Sequence, residues 1–354
     1  MRVLVVAAPL VGHLLPLVPL ARALKEAGHE VLLASGGDAI GVATPGLPKR
    51  DVAPGVSVGR AALPLVVRHP RLMRLELQGR AGVRAVAPLF ARIARKMGPL
   101  TDALVEQWQP DLVLVEPLAV AGALAARRTG TRTVVVENSL FDGRVLAEAV
   151  AAEVGKPFVV GELVTIAPPS VVGARAGTPV RAVPFSGGGD VPEWLARRGD
   201  RPRVVVSYST VRSPGGGGDP TAAVVAAAPG VDAEFVLVRG PRKGLPANVR
   251  TVGRVPLHLV LPHADAFVHH GGAGSVLGAL AEGVPQLVVP GAGDRRFNAE
   301  AVQRRGAGMA VDAAAISAAD LERLLTDEGV RAAAREVRDE MAAMPAPAEL
   351  AQRL

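Results

Sequence analysis

The chain contains no cysteine. That excludes disulfides, iron–sulfur clusters and thiolate zinc sites, and it fits a reducing compartment, so the expected location is cytoplasmic. Aromatic residues are almost as scarce, with one tyrosine and two tryptophans, too few to stack successive bases of a nucleic acid. Lysine supplies only five of the forty basic residues. The arginines are scattered among Ala, Val and Gly rather than grouped into a stripe, so the net charge of +7 reads as largely compositional and no nucleic-acid partner is expected. Nowhere do eighteen apolar residues run without Pro, Gly or a charge, which leaves no membrane span. The apolar start "MRVLVVAAPLVGHLLPL" breaks into Gly, His and Pro without a small-residue cleavage site, and it reads as a buried strand rather than a signal peptide.

What is present is alternation. The 354 residues suffice for two domains, each with its own core. Short apolar runs, "RVLVVA" (2–7), "EVLLAS" (30–35), "DLVLVE" (111–116), "RTVVVEN" (132–138) and "LVTIAP" (163–168), are separated by helical patterns. After the Pro/Gly-rich "PFSGGGDVPEWLARRGDRP" the alternation restarts with "RVVVSYS" (203–209) and continues through "EFVLV", "NVRTVG", "DAFVHH", "QLVVP" and "GMAVD". Such strands read as parallel sheets covered on both faces. The expected fold class is α/β, with two doubly wound Rossmann-like domains facing a central cleft. The expected boundaries are 1–186 for an N-terminal domain, 187–202 for a linker and 203–338 for a C-terminal domain, with a helix in 339–354 returning to the first domain. Residues 36–68 read as loop or short irregular strand, and 69–107 as helix. Phe90, Phe141 and Phe158 are candidates either for the core or for the wall of an apolar pocket.

Four stretches carry chemistry. "HHGGAGS" (269–275) follows a strand and opens a helix, so its backbone N–H groups at a positive helix end suit a phosphate, although a plain tight turn would look the same. His270 can donate to a phosphate oxygen, while His269 points to the opposite face and reads as a packing residue. "APLVGHLLP" places Gly12 and His13 at a helix mouth, where the histidine is either a general base or a capping residue. Glu116 ends "DLVLVE" at the same edge of the sheet and can orient that imidazole; Asp142, after the next strand, could serve instead. In "PGAGDRRFN", Asp294 either caps a helix or accepts hydrogen bonds from sugar hydroxyls.

Taken together, "GHLLPLVPLARALKEAGHEV", "PDLVLVEPLAVAGALAA", "NVRTVGRVPLHLVLPHADAFVHHGGAGSVLGALAEGVPQLVVP" and "MAAMPAPAEL" resemble the bacterial antibiotic glycosyltransferases of the GT-B fold. Those enzymes move a sugar, commonly a deoxysugar, from a nucleotide donor to a polyketide or similar natural product. The resemblance implies an NDP-sugar donor, dTDP-linked, and an apolar or aromatic small-molecule acceptor, with no metal or other cofactor. Homodimerisation is left open. It implies that His13 is a general base with Glu116 as its carboxylate partner, and that His270, Gly272, Ala273, Gly274 and Ser275 form the diphosphate cradle. Gly12, Ser209 and Thr210 fall beside the donor, and Val255 and Leu257 in the segment that holds base and ribose. Three positions depart from the family pattern. Arg254 replaces a stacking aromatic, Arg295 replaces the glutamine of an Asp–Gln pair, and Ser209 replaces a glycine before Thr210. The implied reaction is an inverting direct displacement. Two alternatives stand beside it: a C-glycosyltransferase in which Asp142 helps deprotonate a phenol, and a non-catalytic nucleotide-sugar-binding helper.

Overall fold

The computed structural model describes residues 1–207 and 219–354. Ser209 and Thr210 therefore lie outside the described residues. Among those described, the chain forms two wholly parallel sheets. The first contains β1 (Arg2–Val6), β2 (Glu30–Gly36), β3 (Lys49–Ala53), β4 (Leu112–Val115), β5 (Arg132–Val136), β6 (Glu162–Thr165) and β7 (Thr178–Pro179) in the order β3-β2-β1-β4-β5-β6-β7. The second contains β8 (Arg203–Ser207), β9 (Glu234–Val238), β10 (Val249–Val252), β11 (Ala266–His269), β12 (Gln286–Val288) and β13 (Gly308–Ala310) in the order β10-β9-β8-β11-β12-β13.

Both sheets are buried on their two faces, which is why their strands read as unbroken apolar runs. In β1, Leu4 and Val6 pack into one core cluster while Val3 and Val5 pack into another on the far face. β8 divides the same way, Val204 and Val206 on one side and Val205 on the other. Residues 36–68 are more regular than their Pro and Gly content suggests: they hold β3 and a Val58–Arg68 helix capped by the Ser57 hydroxyl. The helical stretch that follows is two helices, Pro70–Leu77 and Val83–Trp108, and only the second supplies core residues. No helix among the described residues is long and apolar enough to cross a membrane.

Between the sheets the chain is anchored rather than slack. Arg203 is buried at the start of β8 and donates to Glu234 at 2.5 Å and to the carbonyls of Trp194, Leu195 and Arg197. A buried guanidinium needs this many acceptors to offset its lost hydration, and here they belong to the segment that joins the sheets. At the other end, the Glu328–Ala343 helix packs on the Ala273–Glu282 helix of the second sheet, after which the chain crosses back. Its last helix, Pro347–Ala351, lies on the Val18–Glu26 helix of the first sheet, with Leu350 and Ala351 inside that core. Leu350→Ala is expected to lower stability by about 2 to 5 kcal/mol, read as a reduced midpoint in chemical denaturation.

Candidate active site

In a doubly wound sheet the strand order reverses at one point, and the loops leaving the carboxyl ends of the two strands there diverge to open a crevice. The reversals fall between β1 and β4 and between β8 and β11. One cavity of about 1010 Å³ is lined from both sheets. The sequence explains its two ends: Gly12 and His13 follow β1, Glu116 ends the β4 run, and residues 270–275 follow β11.

At the first end, His13 sits in the short Val11–Leu14 helix, whose apolar neighbour Leu14 is buried. Its Nδ1 lies 2.8 Å from Glu116 Oε1. Glu116 has no exposure to water and also accepts from the backbone N–H groups of Ala8 and Leu118, both at 3.2 Å. A carboxylate so supplied with donors takes the hydrogen of Nδ1–H, which leaves the lone pair on Nε2. That nitrogen makes no hydrogen bond among the described residues, and the imidazole, 24% exposed, lines the cavity. The side-chain amide of Asn138 also lies against this imidazole, with its Nδ2 3.1 Å from Nδ1. Desolvation works to lower the His13 pKa, but the charge and hydrogen bond of Glu116, with a further contribution from Asp294, outweigh it and raise the value above 6.5.

At the second end, the Ala273–Glu282 helix starts at Gly272 with no side-chain cap, so its first N–H groups face the cavity that Gly272, Ala273, Gly274 and Ser275 line. A Cβ at 272 would lie 2.6 Å from Nε2 of His270, so glycine there leaves that ring its place. His270 lines the cavity, and its buried Nδ1 has no hydrogen-bond partner among the described residues. Desolvation and the nearby charges of Arg295, His269 and Arg239 hold its pKa well below 6.5, against a pull upward from the Ser207 carbonyl, so the ring is neutral. His269 is fully buried. It accepts from Gly271 N–H at Nδ1 and donates from Nε2 to Gln286 Oε1 at 2.9 Å, and burial lowers its pKa to about 4.

Other candidates divide. Arg254, Leu257, Asp294 and Arg295 line the cavity. Asp294 stands at the start of the Arg295–Arg305 helix but does not cap it; its Oδ2 accepts from Ser139 Oγ of the first domain at 2.7 Å. Val255 is in the core, so its side chain does not reach the cavity. Asp142 does not reach it either. Its carboxylate caps the Gly143–Val154 helix through the N–H groups of Arg144 and Val145, which fixes it away from the imidazole. Phe90, Phe141 and Phe158 are likewise absent from the lining: Phe90 packs in the core beside the His13 ring, Phe141 meets Phe297 edge-on at 5.2 Å, and Phe158 packs against the same core as Phe90. The apolar part of the lining from the first domain is largely aliphatic, with Leu15, Val42, Val164 and Ile166, and Phe185 is the phenylalanine of the lining. Asn138 and Ser139 were not foreseen; the available signal was "ENS" at the carboxyl end of a strand that neighbours β4.

Family models described as the N-terminal and C-terminal domains of Erythromycin biosynthesis protein CIII-like proteins match residues 22–209 and 222–354. The chain belongs to this family of antibiotic glycosyltransferases. Among curated relatives of this glycosyltransferase, the elloramycin glycosyltransferase ElmGT of Streptomyces olivaceus is 38% identical over 100% of this chain and 97% of its own. Among solved structures, the glycosyltransferase SnogD from Streptomyces nogalater is 33% identical with a TM-score of 0.84, covering 100% of this chain and 98% of that one. The SsfS6 glycosyltransferase of Streptomyces sp. SF2575, complexed with thymidine diphosphate, is 28% identical with a TM-score of 0.82, covering 100% and 99%. The two sheets are thus the two halves of a GT-B glycosyltransferase.

The His13–Glu116 pair in this glycosyltransferase has a pH signature. Because the folded value is raised, the pair's contribution to stability is full below the ordinary imidazole value of 6.5 and fades as pH rises through the folded value. In an NMR titration His13 should titrate above 6.5. Glu116→Gln removes the main upward pull and leaves desolvation opposed only by the smaller effect of Asp294, so the value should fall; an unchanged value would contradict the pairing.

Proposed function

We propose that this glycosyltransferase transfers a deoxysugar from a dTDP-linked donor to a natural-product aglycone such as a polyketide, with inversion and with His13 as the general base. The observation that carries the reading is the 2.8 Å contact of His13 Nδ1 with the buried Glu116, in a cavity whose opposite wall is an uncapped helix start.

The acceptor hydroxyl gives its proton to Nε2 of His13 while its oxygen attacks the anomeric carbon from the face opposite the diphosphate. The bond from that carbon to the diphosphate oxygen breaks, and negative charge grows on the leaving group. The N–H groups of Ala273 and Gly274, the neutral His270 and the guanidinium of Arg295 meet that charge where it develops, which favours the transition state over the ground state. This positive charge does the work given to a divalent cation in other sites, so the mechanism includes no metal. His270 is held neutral first by desolvation and then by its cationic neighbours, and an arriving diphosphate offsets the effect of those neighbours. Its ring can then donate to a phosphate oxygen.

Thymidine diphosphate as the donor nucleotide is supported by the solved SsfS6 relative, and Arg254 offers a guanidinium plane where the base would stack. The aliphatic lining that the first domain gives the cavity suits a fused-ring or macrocyclic aglycone. Asp294 is the residue proposed to meet the sugar hydroxyls. The C-glycosyl reading relied on Asp142, whose carboxylate is committed to a helix cap, so O-transfer is the reading adopted.

The test is an intact-mass screen of natural-product aglycones with thymidine- and uridine-diphosphate sugars, run beside His13→Ala. The wild type should add one sugar mass with a thymidine donor. His13→Ala should lose about 10²- to 10⁴-fold in rate while binding thymidine diphosphate as before. Undiminished turnover in that variant would remove His13 as the base.

A further inference from the structure

The Pro70–Leu77 helix buries none of its residues, yet its end reaches the opposite domain. Glu76 Oε1 accepts from the backbone N–H of Gly293 at 3.0 Å, and Arg296 Nε donates to the Gln78 carbonyl at 2.5 Å. Gly79 then turns in the left-handed region (φ 66), where a Cβ would lie 2.1 Å from the carbonyl oxygen of Gly291 and 2.7 Å from Cβ of Arg296. Backbone from the first domain is therefore seated against the 291–296 segment of the second. Within that segment stands Asp294, held on its other side by Ser139 Oγ at 2.7 Å.

We propose that Glu76, with the Gly79 turn behind it, is a positioning residue for the loop that presents Asp294 to the donor sugar, so that a helix of the acceptor-side domain takes part in sugar selection. The proposal rests on the assignment of Asp294 to the sugar. One hydrogen bond to the peptide of residue 293 fixes the plane from which the next side chain departs. Discrimination between sugars that differ in one hydroxyl depends on placing such a carboxylate to within about 0.5 Å. Charge on Glu76 is not what the anchor needs. Desolvation raises its pKa, the Gly293 N–H opposes this, and Asp294 adds a further push upward; in either protonation state Oε1 still accepts from Gly293. An amide at position 76 would do the same.

Glu76→Ala, Glu76→Gln and Gly79→Ala can be compared with the wild type, using two thymidine-diphosphate sugars that differ at a single hydroxyl. Because the helix adds nothing to the core, the variants should fold. Glu76→Ala should raise the donor-sugar KM about tenfold, the equivalent of one hydrogen bond of about 1.4 kcal/mol, and shrink the preference between the two sugars by a similar factor. Affinity for thymidine diphosphate, which lacks the sugar, should stay within about twofold by calorimetry. Gly79→Ala, which wedges the same loop, should show the same pattern, and Glu76→Gln should restore wild-type behaviour. An unchanged sugar preference in Glu76→Ala, or an equal loss of thymidine diphosphate affinity, would overturn the proposal. A wild type that neither binds thymidine diphosphate nor uses its sugars would instead overturn the transferase assignment on which it rests.

Discussion

A carboxylate sealed from water organises the first domain of this protein. Burying Glu116 as an anion would cost several kcal/mol if its oxygens were left unpaired. They are instead supplied by Ala8 N–H, Leu118 N–H and His13 Nδ1. The first two donors come from the loops that leave β1 and β4, so the bonds that stabilise the charge also lock the crevice where those strands part. The imidazole is the third donor, and its orientation follows from the same requirement. Stability and the proposed proton chemistry therefore use one group, and neither can be altered alone.

The cavity is electrically uneven along its length. Its first end carries Glu116 behind His13, and its second carries the helix start with Arg239 and Arg295 close to His270. Two adjacent histidines at 269 and 270 would be a poor choice there if either were protonated, since they would repel one another and the arginines. Burial removes that difficulty by keeping both neutral. Asp294 sits between the two ends, near enough to Arg295 to oppose the desolvation that lowers its pKa and near enough to His13 to raise that imidazole.

Much of the fold was legible because both sheets are parallel and doubly covered, so nearly every strand announces itself as an apolar run that ends in a polar or glycine residue. The glycine turn after β11 and the polar ends of β1 and β4 could be placed on that basis. Less legible were features that depend on distant partners. Ser139 meets Asp294 across 155 positions, Asn138 meets His13 across 125, and Glu76 meets Gly293 across 217; no local pattern marks such pairs. Asp142 misled for the opposite reason. An acid just after a strand and just before a helix satisfies the pattern of a catalytic strand-end carboxylate and of an N-cap equally well, and the helix's free N–H groups took it. The short β7 carried no apolar run at all and pairs only through Val164 and Thr165 of β6.

The chain passes between the two sheets twice, once through the segment that Arg203 anchors and once on its return to the Pro347–Ala351 helix, where Arg181 N–H also binds the Pro345 carbonyl. A single tether would leave the halves free to twist as well as bend. Two crossings, with the Ser139–Asp294 and Glu76–Gly293 contacts beside them, hold the halves in one relative placement. The spacing between His13 and the helix start at 273 is thus set by the path of the backbone as well as by the side chains that meet across the cleft.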